Sequence, residues 1–259
     1  MWSIGKKGKD TNAIIRPMEP KLGSLSIFFP CYNDAGTIAS MVVQADTVAR
    51  TLTDRYEILV IDDGSDDGSR ILLEELQKRY PALKLIFHER NEGYGATLRT
   101  GFAASKNEWV FYTDGDGQYD VNELLLLVDR ISKSIDIVNG YKIQRRDPLH
   151  RIVIGWLYQH IVKIAFGLAV RDVDCDFRLI RRSAIVAIPI NSSSGVICVE
   201  MIAKLERTGA RFDEVGVHHY FRSYGKSSMV EFPRIVRALF QLVHLWITLR
   251  VLNRYGMVP

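Results

Sequence analysis

The chain is poor in cysteine. Three occur in 259 residues, Cys31, Cys175 and Cys198, far apart and in no metal-ligand spacing, and an odd number leaves one unpaired. That argues against a disulfide framework or a cysteine-held zinc and for a reducing compartment. Long apolar runs are also missing. No 18 consecutive residues are free of charge, so no transmembrane span is expected, and none beyond Pro259. Residues 1–20 carry Lys6, Lys7 and Lys9 but no apolar core of signal-peptide length, and are expected to form a flexible tail. Internal repeats and low-complexity tracts are absent. Residues 30–36 lack the glycine-rich basic loop that a nucleotidyltransferase would usually show early in its chain. Histidine says little: His88, His150, His160 and His244 are isolated, while the adjacent His218 and His219 would face opposite sides of a strand. All six are read as structural or surface residues.

What is present describes a globular α/β chain, with 47% hydrophobic and 25% charged residues. The net charge of +4 hides an asymmetry: residues 1–140 hold 16 Lys and Arg against 21 Asp and Glu, whereas residues 141–259 hold 18 against 9. The basic second half suits phosphates or an anionic membrane surface rather than nucleic acid.

Short apolar runs bounded by turn residues predict strands at 24–29, 56–61, 83–88, 109–113 and 135–139. Helices are predicted between them, at 37–53 with Thr37 as a possible N-cap, from Ser69 to about Tyr80, from Gly93 and Gly95 to about Ala104, and at about 121–133. This alternation argues for βαβ units and a largely parallel sheet. Polar residues stand just past the strand ends: Tyr32 and Asp34, then Asp62 and Asp63, then Asp114 and Asp116, then Lys142. Parallel strands deliver their carboxyl ends to one edge, where ligands of open α/β sheets bind.

The centre of the pattern is Trp109-Val110-Phe111-Tyr112-Thr113-Asp114-Gly115-Asp116-Gly117-Gln118. Two carboxylates one glycine apart at a strand end can reach one hard divalent cation, which such sites usually share with substrate phosphates. In Asp62 to Ser69, Asp66 or Ser69 is expected to cap the following helix, leaving Asp62 and Asp63 free for a ligand's N–H groups.

Three stretches, Phe29-Pro30-Cys31-Tyr32-Asn33-Asp34, Val60-Ile61-Asp62-Asp63-Gly64-Ser65-Asp66-Asp67-Gly68-Ser69 and Asp114-Gly115-Asp116-Gly117-Gln118, resemble the ordered signatures of inverting GT-A glycosyltransferases. The likeness is greatest to the dolichyl-phosphate mannose synthase and polyprenyl-phosphate glycosyltransferase group and spans about residues 24–230. It implies a Rossmann-like GT-A domain over 21–230, its mostly parallel sheet flanked by helices. It also implies a base and ribose pocket at Pro30, Tyr32, Asp34, Ile61 and Asp63, where Asp34 replaces the usual Glu. Asp114 and Asp116, with Gly115 between them and Gln118 beside them, match the ligands of Mg²⁺ or Mn²⁺. Lys142 stands where the mannose synthases carry Arg, and Arg145 or Arg146 could compensate for the lost fork. Arg222 matches a phosphate-binding arginine on a late loop, and Lys226 could replace the lysine that Ser228 lacks.

Asp172-Val173-Asp174-Cys175-Asp176-Phe177-Arg178-Leu179 resembles the bacterial glucosyltransferase branch of that group. Asp176 is the first candidate for general base or acceptor-orienting residue, Asp174 the second, with a plain ion pair from Asp176 to Arg178, Arg181 or Arg182 as the alternative. Glu200 matches a further acidic position and is expected to support the site by orienting an arginine.

Two segments have wide apolar faces and narrow polar stripes. In one, within 150–168, Arg151, Gly155, Gln159 and Lys163 recur every fourth residue; in the other, within 231–259, Arg234, Arg237, Gln241, His244 and Thr248 form the stripe. Helices of this kind can lie in a bilayer interface. The expectation is an enzyme at the cytoplasmic face of a membrane, moving a sugar from a nucleotide-sugar to a polyprenyl phosphate, with homo-oligomerisation open. The alternatives are a glycan or other lipid acceptor, or a non-catalytic nucleotide-sugar-binding scaffold.

Overall fold

The structure is a computed structural model that describes residues 21–143, 149–224 and 232–251. One seven-stranded sheet runs through it in the order β3-β2-β1-β4-β6-β5-β7. The strands are β1 (Leu25–Cys31), β2 (Tyr56–Asp62), β3 (Leu83–Phe87), β4 (Trp109–Thr113), β5 (Ile137–Ile143), β6 (Phe177–Arg181) and β7 (Phe212–His218). Only β6 runs against its neighbours, β4 and β5; every other pairing is parallel. The inner strands read as unbroken apolar runs because both faces are covered.

The helices are α1 (Ile38–Leu52), α2 (Ser69–Gln77), α3 (Tyr94–Ala104), α4 (Leu124–Val128), α5 (Leu149–Phe166), α6 (Arg182–Val186), α7 (Val196–Arg207) and α8 (Phe232–Trp246). Strand pleating sorts them into layers. Leu25, Ile27, Phe29 and Cys31 of β1 meet α1, α2 and α4, while Phe28 stacks on Tyr112 of β4 and meets Phe102 of α3, in a cluster that includes Met201 of α7. Fully burying one such side chain contributes about 1.5–3 kcal/mol. A third cluster joins α5, α7 and α8 around Val162, Phe166, Val199, Leu245 and Leu249.

Three local expectations change. The predicted helix at 121–133 is a 3-10 turn, Val121–Glu123, followed by the short α4. β5 extends to Ile143, so Lys142 lies within a strand rather than past its end. α2 is not capped by Asp66 or Ser69: Gly68 occupies the N-cap at φ 91°, and Asp67 accepts the Ser69 N–H at 3.1 Å.

The polar stripes of α5 and α8 turn inward in part. Gln159 donates to the Arg171 carbonyl, and Gln241 bonds the hydroxyls of Ser193 and Ser194 at 2.8 and 2.6 Å. The apolar residues Ile154, Trp156, Leu157, Ile161 and Ile164 of α5, and Leu239, Phe240 and Val243 of α8, stay exposed. Among the described residues no helix is long and apolar enough to cross a membrane.

Candidate active site

The carboxyl ends of β1, β2 and β4 converge, and the reversed β6 adds its beginning to the same edge. The β4–β6 ladder ends at Thr113 opposite Phe177, so Asp114 and Asp176 are the next residues on either side. An antiparallel neighbour thus places a motif from residue 176 beside one from residue 114.

Burial, reinforced by Asp176 and Asp116, pushes the Asp114 carboxyl well above its usual range, and burial also raises Asp116. Asp34 is pushed up to about 6 by burial, against the opposing pull of Arg222. The Arg222 guanidinium lies 2.8 Å from Asp34 and 3.5 Å from Asp116. Its loop is strapped down by Tyr220, whose N–H donates to the Gln118 carbonyl at 2.8 Å while its own carbonyl accepts from Gln118 Nε2 at 3.0 Å. Gln118 also donates its backbone N–H to Asp116 Oδ1 at 3.0 Å. Gly115 packs on the Pro30 carbonyl, which an added Cβ would approach to 2.7 Å.

Asp176 is held by one oxygen. Oδ1 receives Cys198 Sγ at 3.0 Å, Arg178 Nη1 at 3.4 Å and Tyr112 Oη at 3.4 Å, whereas Oδ2 has no partner among the described residues. Arg178 is fully buried and also donates to Asn139 Oδ1 at 2.6 Å and to the Val173 carbonyl. The ion pair to Arg178 therefore exists and orients Asp176 while leaving its second oxygen unused. Burial pushes Asp174 up to about 6.

Several expected ligand contacts are already occupied. Asp63 accepts the N–H groups of Glu92 and Gly93, each at 2.9 Å, and pairs with His88 at 2.7 Å. It braces the turn before α3 instead of standing free. Asp62 pairs with Arg70 at 2.8 Å, although its Oδ1 is buried without a partner. Ile61 is fully buried in the core and Pro30 is buried in β1, so neither offers an exposed side chain; Tyr32 is half-buried at the cleft. Lys142 is buried and donates to the Asp174 carbonyl, shaping the 172–176 loop. Glu200 orients no arginine among the described residues; it pairs with Lys204 and accepts the N–H groups of Asn191 and Ser192. Thr37 occupies the N-cap of α1 as expected, but its hydroxyl makes no capping bond and instead donates to the Gly115 carbonyl at 2.8 Å. Lys226, Arg145, Arg146 and Ser228 lie outside the described residues.

Residues 26–188 match the family model for glycosyl transferase family 2. The chain belongs to this family. It is a glycosyltransferase with a GT-A fold, as its signatures led one to expect. An undecaprenyl-phosphate 4-deoxy-4-formamido-L-arabinose transferase of Klebsiella pneumoniae (strain 342) is 28% identical over 242 residues, covering 92% of this chain and 73% of the relative. Another from Klebsiella pneumoniae subsp. pneumoniae is 27% identical over the same length. Among solved structures, the glucosyl-3-phosphoglycerate synthase of Mycobacterium tuberculosis in complex with Mn²⁺, UDP and glucosyl-3-phosphoglycerate superposes with a TM-score of 0.64 at 17% identity, covering 87% of this chain and 79% of that one. At that identity the likeness concerns the fold.

Among the described residues of this family 2 enzyme, no three His, Cys, Asp or Glu are grouped to hold a metal ion. Asp114 and Asp116 nevertheless suit a shared one, because a hard cation can take two carboxylates and complete its shell from phosphates and water. The guanidinium of Arg222 between Asp34 and Asp116 shows the demand for positive charge there. Tyr94, Tyr112 and Cys198 escaped the sequence reading. Tyr112 and Cys198 lie inside apolar runs that read as core, Tyr94 opens α3 between two glycines, and only the folded arrangement shows what each polar atom meets.

Proposed function

We propose that this glycosyltransferase moves a sugar from a nucleotide-sugar, of GDP-mannose or UDP-hexose type, to a polyprenyl phosphate with inversion. The observation that carries the reading is the meeting of Asp114 and Asp116 with Asp176 at the end of the β4–β6 ladder. Tyr32 and Asp34 would bind the nucleotide, with Arg222 moving onto the diphosphate. Asp114 and Asp116 would hold Mg²⁺ or Mn²⁺, which supplies positive charge for the leaving diphosphate. Asp176 would orient the acceptor oxygen through Oδ2. A phosphate acceptor is largely ionised at neutral pH, so the demand on a base is small. A hydroxyl acceptor would need Asp176 or Asp174 to take its proton.

The acceptor class is supported by the Klebsiella relatives, which are undecaprenyl-phosphate sugar transferases, and by the exposed apolar faces of α5 and α8. Those faces would hold the protein peripherally at the cytoplasmic side of a membrane, where the acceptor's phosphate can reach the cleft while its tail stays in the bilayer. The deciding experiment is a panel of UDP- and GDP-sugars with a short polyprenyl phosphate, with products read by mass. A glycosyl-phosphoprenyl product that vanishes with EDTA is expected. Donor hydrolysis without lipid product across the panel would reject this acceptor class.

A further inference from the structure

Asp114 has one hydrogen-bond donor among the described residues: Tyr94 Oη, 2.7 Å from Oδ1. Three other carboxylates, Asp34, Asp116 and Asp176, act on Asp114 through space. Like charges so placed drive a carboxylate to rotate away or to take up a proton. A single phenol therefore decides where this side chain sits.

The backbone around Tyr94 is fixed from three directions. Glu92 and Gly93 donate their N–H groups to Asp63, at 2.9 Å each, from the end of β2. Gly93 adopts φ 96°, a conformation that favours glycine. Gly95 donates to the Ser193 carbonyl at 3.1 Å, and a Cβ on Gly95 would come within 2.2 Å of the Ser192 carbonyl oxygen. The 191–194 segment is itself held by Glu200 through Asn191 and Ser192, and by Gln241 of α8 through Ser193 and Ser194. So the residue before Tyr94 and the residue after it are both anchored, and the backbone cannot carry the phenol after Asp114 if the carboxylate swings.

We infer that Tyr94 is a positioning residue for the glycosyl transfer: it holds Asp114 by Oδ1 and leaves Oδ2, which has no partner among the described residues, for the cation. The inference rests on the proposed role of Asp114 as a cation ligand. It also gives Asp63 a task other than nucleotide contact, because the turn that Asp63 braces carries Tyr94.

The test is Mn²⁺ titration followed by electron paramagnetic resonance at one fixed pH, with and without UDP. Wild type, Tyr94→Phe, Asp114→Asn and the double variant are compared, with melting temperatures measured on each. Tyr94→Phe deletes one oxygen and should melt within a few degrees of wild type. Its Kd for Mn²⁺ should rise about tenfold or more, the weight of a hydrogen bond to a charged group. In the Asp114→Asn background the same change should move the Kd less than about twofold, since the coupling is then gone. Unchanged Mn²⁺ affinity in Tyr94→Phe overturns the inference. So does an equal loss in both backgrounds, which would mark a general effect on the fold. If wild type itself binds no Mn²⁺ with UDP present, the cation reading of Asp114 fails instead.

Discussion

Arg222 Nη2 donates to Asp34 Oδ1 at 2.8 Å, joining the loop after β7 to the loop after β1 across 188 positions of sequence. The same guanidinium reaches Asp116 at 3.5 Å, so one cation serves two acids that would otherwise face each other. A diphosphate and its metal ion would compete for both partners. Arg222→Ala should therefore have effects of opposite sign. Affinity for UDP or GDP should fall about tenfold to a hundredfold, as a charge-assisted contact is lost. Affinity for Mn²⁺ alone should rise, because Asp116 loses its resident cation. Calorimetry with each ligand checks both arms, and an unchanged nucleoside diphosphate affinity would reject the phosphate role.

The Asp114 and Asp116 side chains belong to a crowded, largely buried group of acids. Asp114→Ala and Asp116→Asn should each abolish transfer. Asp116→Asn should melt no lower than wild type, since removing a charge from a like-charged cluster relieves repulsion at the expense of activity. Turnover and thermal melting on the same preparations test this. Near-normal turnover of either variant in EDTA-treated buffer would show that no shared cation is needed.

Asp34 and Asp174 are both pushed up to about 6, mainly by burial, from an ordinary value of 3.8. Between those two values the folded protein binds more protons than the unfolded chain, so stability rises as pH falls from about 7 to about 5. Asp46, Glu57, Asp67 and Glu200 are shifted the other way, held down by hydrogen bonds and paired cations despite burial. Their contribution is present above the ordinary carboxylate range and is lost as pH drops through their folded values. The ligand-free protein should thus melt highest near pH 5. Asp174→Asn should flatten the limb between about 5 and 7. A melting temperature that falls steadily from pH 7 to pH 5 would contradict the sign.

The strands most legible in the sequence were the buried ones. β4 was read over residues 109–113 as observed, and Asp114 follows it as a strand-end acid must. β6 was not read as a strand: Phe177 to Arg181 is short, begins at a cluster of acids and ends in basic residues. Without its reversed direction, Asp176 is an acid of unknown place; with it, Asp176 stands beside Asp114. That Asp63 is not free was hidden for a related reason. Its partners, the N–H groups of Glu92 and Gly93, come from a turn about 30 residues away whose backbone no side-chain pattern describes. Gln241 was read as part of a narrow polar stripe, and only the docking of α8 turns it onto Ser193 and Ser194.

The last prediction concerns α5 and α8. Leu157 and Ile161 of α5 are 52% and 54% exposed, and Phe240 and Val243 of α8 are 74% and 56% exposed. Contiguous exposed apolar faces of this kind mark an interaction surface. Trp246 is a poor residue with which to test it, because its indole N–H donates to the Ala165 carbonyl at 3.0 Å and ties α8 to α5. Replacing Leu157 and Ile161 with Asn, and Phe240 and Val243 with Ser, alters the exposed face and spares that tie. If the face lies in a bilayer interface, the wild type should float with anionic vesicles and the fourfold variant should not. Transfer to a long-chain polyprenyl phosphate should then fall while UDP affinity and melting temperature hold. If the face instead docks a second copy of the chain, the variant should lose a dimer or several degrees of melting temperature, and the wild type should never float. Flotation, sedimentation and melting on one pair of proteins separate these outcomes, and a wild type that stays with the soluble fraction would sink the membrane reading.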